Sequence, residues 1–310
     1  MFEPRTTNIE LRVGGSGLAV LLFEKEFLKK LETMAFLLKK ARAGRYSGLH
    51  RSTRKGQSVE FADYRAYVSG DDFRQVDWNA YARLDRLFIK LFMEENDLSI
   101  HLLLDTSGSM ALEGSSKYPL AKQLVGALGY LALVNMEQVG VIALNQGTNR
   151  VLPLQRGRNA ISRLWGFLTQ LEAGGETDIN ISLRQTGKHI KGPGIAIILS
   201  DLLSPSGYQE GLKYLQHLGQ QVVVLHILSP EERDPQLLGN FRLLDCETGL
   251  EKEVSITPIL LKAYKDHLET FISSCQQFCL SREITYHMVG SDESLEDILL
   301  RSLRGTEVLV

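Results

Sequence analysis

From Leu98 to the C-terminus, short apolar runs alternate with amphipathic stretches, and no other feature of the chain narrows its possible folds as much. The runs are Ile100 to Leu104, Val139 to Leu144, Val151 to Leu154, Ile195 to Leu199, Val222 to Ile227 and Ile284 to Met288. They are short and almost free of charge, as strands covered on both faces must be. Between most of them the leucines recur at helical spacing: Leu120, Leu124, Leu128 and Leu131 within Tyr118 to Met136, with the same design in Asn159 to Leu171 and Gly207 to Leu218. The pattern predicts an α/β fold, a doubly wound and mostly parallel six-stranded sheet with helices on both faces. The second and third runs are joined directly by the polar turn Asn145 to Asn149, which predicts one antiparallel edge strand. A piece at 230–257, where Phe241 to Leu244 and Val254 to Ile256 flank Glu247-Thr248-Gly249, reads as an inserted surface hairpin ahead of a long helix.

The expected division is an N-terminal accessory region at 1–97 and the α/β domain at 98–310, with the boundary near Glu94 to Asp97. The accessory region opens with a predicted helix from about Glu24 to Ala43, apolar at Phe27, Leu28, Leu31, Met34, Leu37 and Leu38. Lys39 to Lys55 follows, with seven Lys or Arg and no acid, broken by Gly44 and Gly48. It reads first as a solvated loop, and secondarily as a docking surface for an acidic partner through Arg45, Arg51, Arg54 and Lys55. Phe61 to Phe92 mixes aromatics with charges, and Asp71, Asp72, Arg74, Asp77 and Arg83 are expected to serve mainly as a structural ion-pair network.

Composition removes several classes of function. Lys plus Arg total 35 against 37 for Asp plus Glu, a formal charge of -2, so no global field favours nucleic acid or a membrane surface. The opening MFEPRTTNIE lacks the layout of a secretory signal, and the longest uncharged stretch, Gln123 to Met136, is too short to span a bilayer. Three cysteines, Cys246, Cys275 and Cys279, are too few to staple a fold; a cytoplasmic protein without a membrane span is expected. Cys275 and Cys279 have no second pair or suitably spaced His to complete a zinc site, which leaves core packing. His101 and His226 lie inside strands, where buried neutral imidazoles are ordinary.

The chemistry concentrates after the first strand. Asp105-Thr106-Ser107-Gly108-Ser109 places a carboxylate and two hydroxyls at alternate positions leading into a helix. Such a pattern alone arises by chance in on the order of one chain in ten of this length. Two further oxygens give it weight: Thr177, in the turn Gly174-Gly175-Glu176-Thr177-Asp178, and Asp201, directly after the strand Ile195 to Leu199. In a doubly wound sheet of order 3-2-1-4-5-6 the first and fourth strands are neighbours, and their carboxyl ends flank the point where ligands bind. Five oxygen donors without nearby His or Cys suit a hard octahedral cation, Mg2+ or Mn2+, with a solvent-facing position left for a carboxylate from another protein. The plainer alternative is that Ser107 and Ser109 cap the next helix while the aspartates bond locally.

Asp105, Ser107, Ser109, Thr177 and Asp201 resemble the metal-ion-dependent adhesion site of von Willebrand factor A domains. Upstream, Glu60-Phe61-Ala62-Asp63-Tyr64-Arg65-Ala66-Tyr67 and Gly70-Asp71-Asp72-Phe73-Arg74-Gln75-Val76-Asp77-Trp78 are similar to the prokaryotic domain-of-unknown-function family 58. That resemblance runs from about Phe27 to the C-terminus. It implies a bacterial protein that couples this region to an A-type domain and assists a MoxR-type AAA+ ATPase as adaptor or cofactor in assembly, maturation or stress response.

An enzyme is not expected. A phosphatase-style aspartate loop wants a second acid where Ser107 stands, and a hydrolase elbow wants Gly where Asp105 stands. There is no Gly-Lys-Ser/Thr phosphate loop, so nucleotide hydrolysis would have to come from a partner. The alternatives retained are a metal-dependent hydrolase at the same site and nucleic-acid binding through the basic strip at 39–55.

Overall fold

The structure is a computed structural model that describes residues 10–11, 19–20, 59–68, 76–94, 99–112, 115–145, 150–175, 177–245 and 250–299. The expected helix Glu24 to Ala43, the basic strip with Arg45, Arg51, Arg54 and Lys55, the acidic pair Asp71 and Asp72 with Arg74, and Cys246 all lie outside the described residues. The chain divides into two compact units, one of residues 45–97 and one combining 1–44 with 98–310.

In the smaller unit, β3 (Val59–Ala66) pairs antiparallel with β4 (Phe88–Glu94), and α1 (Trp78–Leu84) lies between them in sequence. Asp77 starts the helix: its extended backbone turns the chain, and its Oδ1 accepts the N–H groups of Asn79 at 2.9 Å and Ala80 at 3.2 Å. Asp85, in the left-handed region at φ 51°, ends it. Asp77 therefore has a capping role that charge counting does not suggest.

The larger unit contains a short antiparallel pair, β1 (Glu10–Leu11) with β2 (Ala19–Val20), and the six-stranded sheet. The sheet is built from β5 (Ser99–Asp105), β6 (Gln138–Leu144), β7 (Arg150–Arg156), β8 (Gly194–Ser200), β9 (Gln220–Leu228) and β12 (Thr285–Gly290), in the order β12-β9-β8-β5-β6-β7. Every pairing is parallel except β6 with the edge strand β7. This is the α/β arrangement the sequence predicts, with β5 and β8 adjacent at its centre.

Strand geometry divides the core in two. Side chains alternate across a strand, so Leu102 and Leu104 of β5 face one side and Leu103 the other. The first side packs against α2 (Lys117–Val134) and α3 (Ile161–Thr169) through Leu124, Leu131, Leu164 and Leu168. The second packs against α4 (Ile179–Thr186), α5 (Gln209–His217) and the C-terminal half of α7 (Pro258–Ser281). Each such side chain contributes about 1.5–3 kcal/mol by leaving water. Almost all of α2 is buried, which is why that uncharged stretch carries no polar face. Cys275 and Cys279 lie one helical turn apart on α7 and are buried in the second core; burial, then the neighbouring Cys275, pushes the Cys279 thiol up to about 12. Their place is packing, not metal.

Between β9 and α7 sit the short helix α6 (Pro230–Arg233) and the hairpin of β10 (Gly239–Leu244) with β11 (Glu251–Ile256). The hairpin stands outside the main sheet. With Leu260, Leu261 and Tyr264 of α7, its Leu243, Val254 and Ile256 wall a cavity of about 620 Å³ that also touches Leu112 and Glu232. No helix among the described residues is long and apolar enough to cross a membrane.

His101, in the middle of β5, is 2% exposed, and burial holds its pKa down at about 4. A base whose folded pKa lies below its unfolded value of 6.5 stabilises the fold fully above pH 6.5, and this contribution is lost as pH falls towards 4. His101→Leu is expected to reduce the stability loss between pH 7 and pH 5 by about 2 kcal/mol relative to the parent chain, read from urea midpoints at the two pH values. An unchanged loss would show that His101 is not held neutral by the fold.

Candidate metal centre

Asp105 is the last residue of β5 and is buried with the rest of that strand. One carboxylate oxygen, Oδ1, accepts the Ser107 N–H at 3.0 Å, and the other, Oδ2, accepts the Ser200 hydroxyl of β8 at 2.5 Å. The first bond curls the chain as it leaves the strand, so the Ser107 side chain returns towards the carboxylate. Ser107 and Ser109 then lie with their hydroxyl oxygens 2.9 Å apart. Thr106 points the other way and anchors the loop to β6: both its N–H, at 3.2 Å, and its hydroxyl, at 2.7 Å, donate to the Leu144 carbonyl. One residue of the motif fastens the loop while its neighbours offer oxygens.

The loop carrying Thr177 is tied to this one through backbone. Gly174 N–H donates to the Thr106 carbonyl at 2.9 Å, and Gly108 N–H donates to the Gly175 carbonyl at 3.0 Å. The second contact needs a chain reversal at Gly175, whose φ of 81° is a conformation that side-chain-bearing residues rarely adopt. Beyond it, Thr177 is buried, and its hydroxyl has no hydrogen-bond partner among the described residues. A buried hydroxyl left unpaired costs about 1–3 kcal/mol, a cost that a bond from the Thr177 oxygen to a ligand would remove. Asp178 next to it caps α4, its Oδ1 accepting from Ile181 N–H at 2.9 Å.

Asp201 follows β8 directly and is fully buried. Its Oδ1 accepts the Leu203 N–H at 3.0 Å, and its Oδ2 accepts from the Lys117 ammonium at 2.8 Å. Lys117 is 0% exposed at the first position of α2, and it also donates to Glu232 Oε1 at 2.5 Å. Burial alone would lower the Lys117 pKa, but the Asp201 and Glu232 charges outweigh burial and raise it. Asp105 shifts upward, to about 6: burial acts first, the Asp201 charge next, and the bonds from Ser200 and Ser107 oppose both. Asp105 and Asp201 are thus buried close enough to sense one another, with the Lys117 ammonium on the Asp201 side.

Asp105, Ser107, Ser109, Thr177 and Asp201 thus lie on three loops at the carboxyl ends of β5 and β8 and on the strap between α3 and α4. The backbone bonds above tie the first two loops, and the Ser200 bond to Asp105 ties the third. Among the described residues no three His, Cys, Asp or Glu side chains cluster to hold a metal, so an ion here would depend on the hydroxyls beside the two carboxylates. Two carboxylates with three neutral oxygens are the donor set of a hard cation, and the unpaired Thr177 hydroxyl fits that use. Lys117, Ser200 and Glu232 belong to the same cluster but fall outside the motif. A lysine opening a mostly apolar helix sits at the positive end of the helix dipole, an unfavourable place unless carboxylates face it, but the sequence does not say which carboxylates those are.

The family described as "Protein of unknown function DUF58" matches residues 63–269. Uncharacterised proteins of Mycobacterium tuberculosis and Mycobacterium bovis are each 25% identical over 235 residues, covering 74% of this chain and 74% of the relative. Among solved structures, the conserved hypothetical protein BatB from Bacteroides thetaiotaomicron is similar at 18% identity over 66% of this chain and 97% of that one, with a TM-score of 0.43. The VWA domain of SpRpn10 is similar at 12% identity over 69% of this chain and 98% of that one, with a TM-score of 0.40. A form of proximal thread matrix protein 1 from the mussel byssus with a zinc-occupied MIDAS motif is 23% identical over 42% of this chain and 38% of that one, with a TM-score of 0.35. With its family match extending from β3 into α7, over more than half of its length, the chain belongs to the DUF58 family of proteins of unknown function.

Proposed function

We propose that this chain is a metal-dependent protein-interaction module in which Asp105, Ser107, Ser109, Thr177 and Asp201 hold Mg2+ or Mn2+. The observation that carries the reading is the buried Thr177 hydroxyl, unpartnered among the described residues, on a strap tied to the Asp105 loop. The ion would supply an electrophilic point with a position open to solvent, suited to an acidic side chain of another protein. The buried imidazoles of His101 and His226, each held at a pKa of about 4 by burial, are weak bases, and neither belongs to the donor set. The resemblance described above points to a MoxR-type AAA+ ATPase in the bacterial cytoplasm as the partner, with this chain as its adaptor. Nucleic acid is not part of the reading, and Arg45, Arg51, Arg54 and Lys55 are kept only as a secondary docking surface.

The test is capture of the candidate ATPase with and without EDTA, using the parent chain, Asp105→Ala and Thr177→Ala. Capture should require the metal and fall at least tenfold in both variants; capture indifferent to EDTA and to both substitutions would sink the mechanism. Phosphatase or esterase turnover lost in Asp105→Ala would instead establish an enzyme.

The strap makes a second prediction. Gly175→Ala forces a side chain into a left-handed conformation at a cost of about 1 kcal/mol, so Mg2+ affinity should fall several-fold by calorimetric titration. Gly166→Ala on α3, where an added methyl meets nothing within 4 Å, should leave affinity unchanged. Equal affinities in all three proteins would separate the strap from metal binding.

A further inference from the structure

Lys117 is the least expected residue in the centre. It is a fully buried ammonium, 2.8 Å from Asp201 Oδ2 and 2.5 Å from Glu232 Oε1, on a helix whose other buried residues are almost all apolar. Its position at the helix N-terminus adds to its cost, because the dipole there repels a cation. A buried lysine keeps its charge where paired carboxylates repay its lost hydration. The partners here are a residue of the proposed metal centre and a residue of α6, which joins the sheet to the hairpin.

Charge shows what the arrangement does. Asp105, Asp201 and Glu232 bring three negative charges when ionised, and Lys117 brings one positive, so the cluster carries 3 − 1 = 2 negative charges, matched by one divalent ion. Without Lys117 the same carboxylates would attract a divalent ion more strongly and would repel one another when the ion leaves. Both Asp201 oxygens are already engaged, Oδ1 by Leu203 N–H and Oδ2 by Lys117. Lys117 therefore occupies the Asp201 side of the centre as a resident cation.

We propose that Lys117 is a built-in counter-cation that holds the centre together without metal and sets its metal affinity low, so that tight binding requires a carboxylate from the partner. The proposal rests on the metal-centre reading above and deepens it. Lys117 is a positioning residue: it acts on the ion through Asp201 and through its own charge. It differs from a purely structural tie in one measurable respect, because losing a tie weakens the fold without improving metal binding.

The experiment is calorimetric titration of the full chain with Mg2+ and with Mn2+, alongside melting temperatures with and without each ion. The parent chain is compared with Lys117→Met, Glu232→Gln and Glu231→Gln. Lys117→Met should bind Mg2+ about tenfold tighter or more, melt lower without metal, and gain more in melting temperature on metal addition than the parent. Glu232→Gln keeps an oxygen for the Ser229 N–H but removes a negative charge, and should bind Mg2+ several-fold more weakly. Glu231→Gln, a change at the neighbouring cavity wall, should match the parent. A folded Lys117→Met with metal affinity equal to or below the parent's overturns the proposal. If Lys117→Met does not fold even with metal, Glu232→Gln decides, and an unchanged dissociation constant there overturns it. Metal binding to neither the parent nor any variant at millimolar concentrations would fell the metal-centre reading and this proposal with it, an outcome distinct from binding that ignores Lys117.

Discussion

Parallel pairing of β5 with β8 is the constraint from which the rest of the centre follows. The two strands are far apart in sequence, yet their register sets Leu104 against Leu199, so both chains leave the sheet at the same level. Asp105 and the pair Ser200-Asp201 then emerge side by side, and the Ser200 hydroxyl bonds Asp105 across the strands at 2.5 Å. The connections out of β5 and β8 run to opposite faces of the sheet, α2 to one and α5 to the other, so this is the switch point at which open α/β sheets place ligands. Slipping either strand by one residue would turn every side chain to the wrong face and separate the two carboxylates.

At these strand ends the protein concentrates polar groups that a core ordinarily excludes. Asp105, Ser107, Thr177, Lys117 and Asp201 are all buried, and each but Thr177 is engaged by a named donor or acceptor. Leucine and valine packing on both sides of the sheet supplies the stability that such a cluster consumes. The backbone contacts from Gly108 to Gly175 and from Gly174 to Thr106 join the two loops without drawing on side-chain oxygens, and the Thr177 hydroxyl stays unpaired among the described residues.

The sheet was legible because the four central strands, β5, β6, β8 and β9, are buried on two faces and leave uninterrupted apolar runs, while the more exposed edge strands β7 and β12 still form at their shorter apolar runs. Helix α4 was not, since eight residues give only two turns and its inward side includes Ser182 and Thr186 as well as Ile179 and Leu183. The loop oxygens could be read because Asp105, Ser107 and Ser109 lie within five residues and Thr177 and Asp201 occupy recognisable loop positions. Lys117, Ser200 and Glu232 could not, because their partners lie 84, 95 and 115 residues away and only the folded chain brings them together. Asp77 misleads for a different reason: in a segment dense with charges its side chain serves backbone N–H groups, a use that composition cannot distinguish from ion pairing.

Glu232 closes the capping box of α6, bonds Lys117, and lines the cavity beneath the hairpin. One side chain is thus shared between the polar centre and an apolar hollow of about 620 Å³. Sharing of this kind makes the two places thermodynamically linked: whatever moves Glu232 from one side changes the free energy of occupancy on the other, and reciprocity requires the same factor in both directions. The inserted hairpin is therefore more than an ornament on the sheet, because it walls a volume whose contents and the charge balance of the centre answer to a single carboxylate.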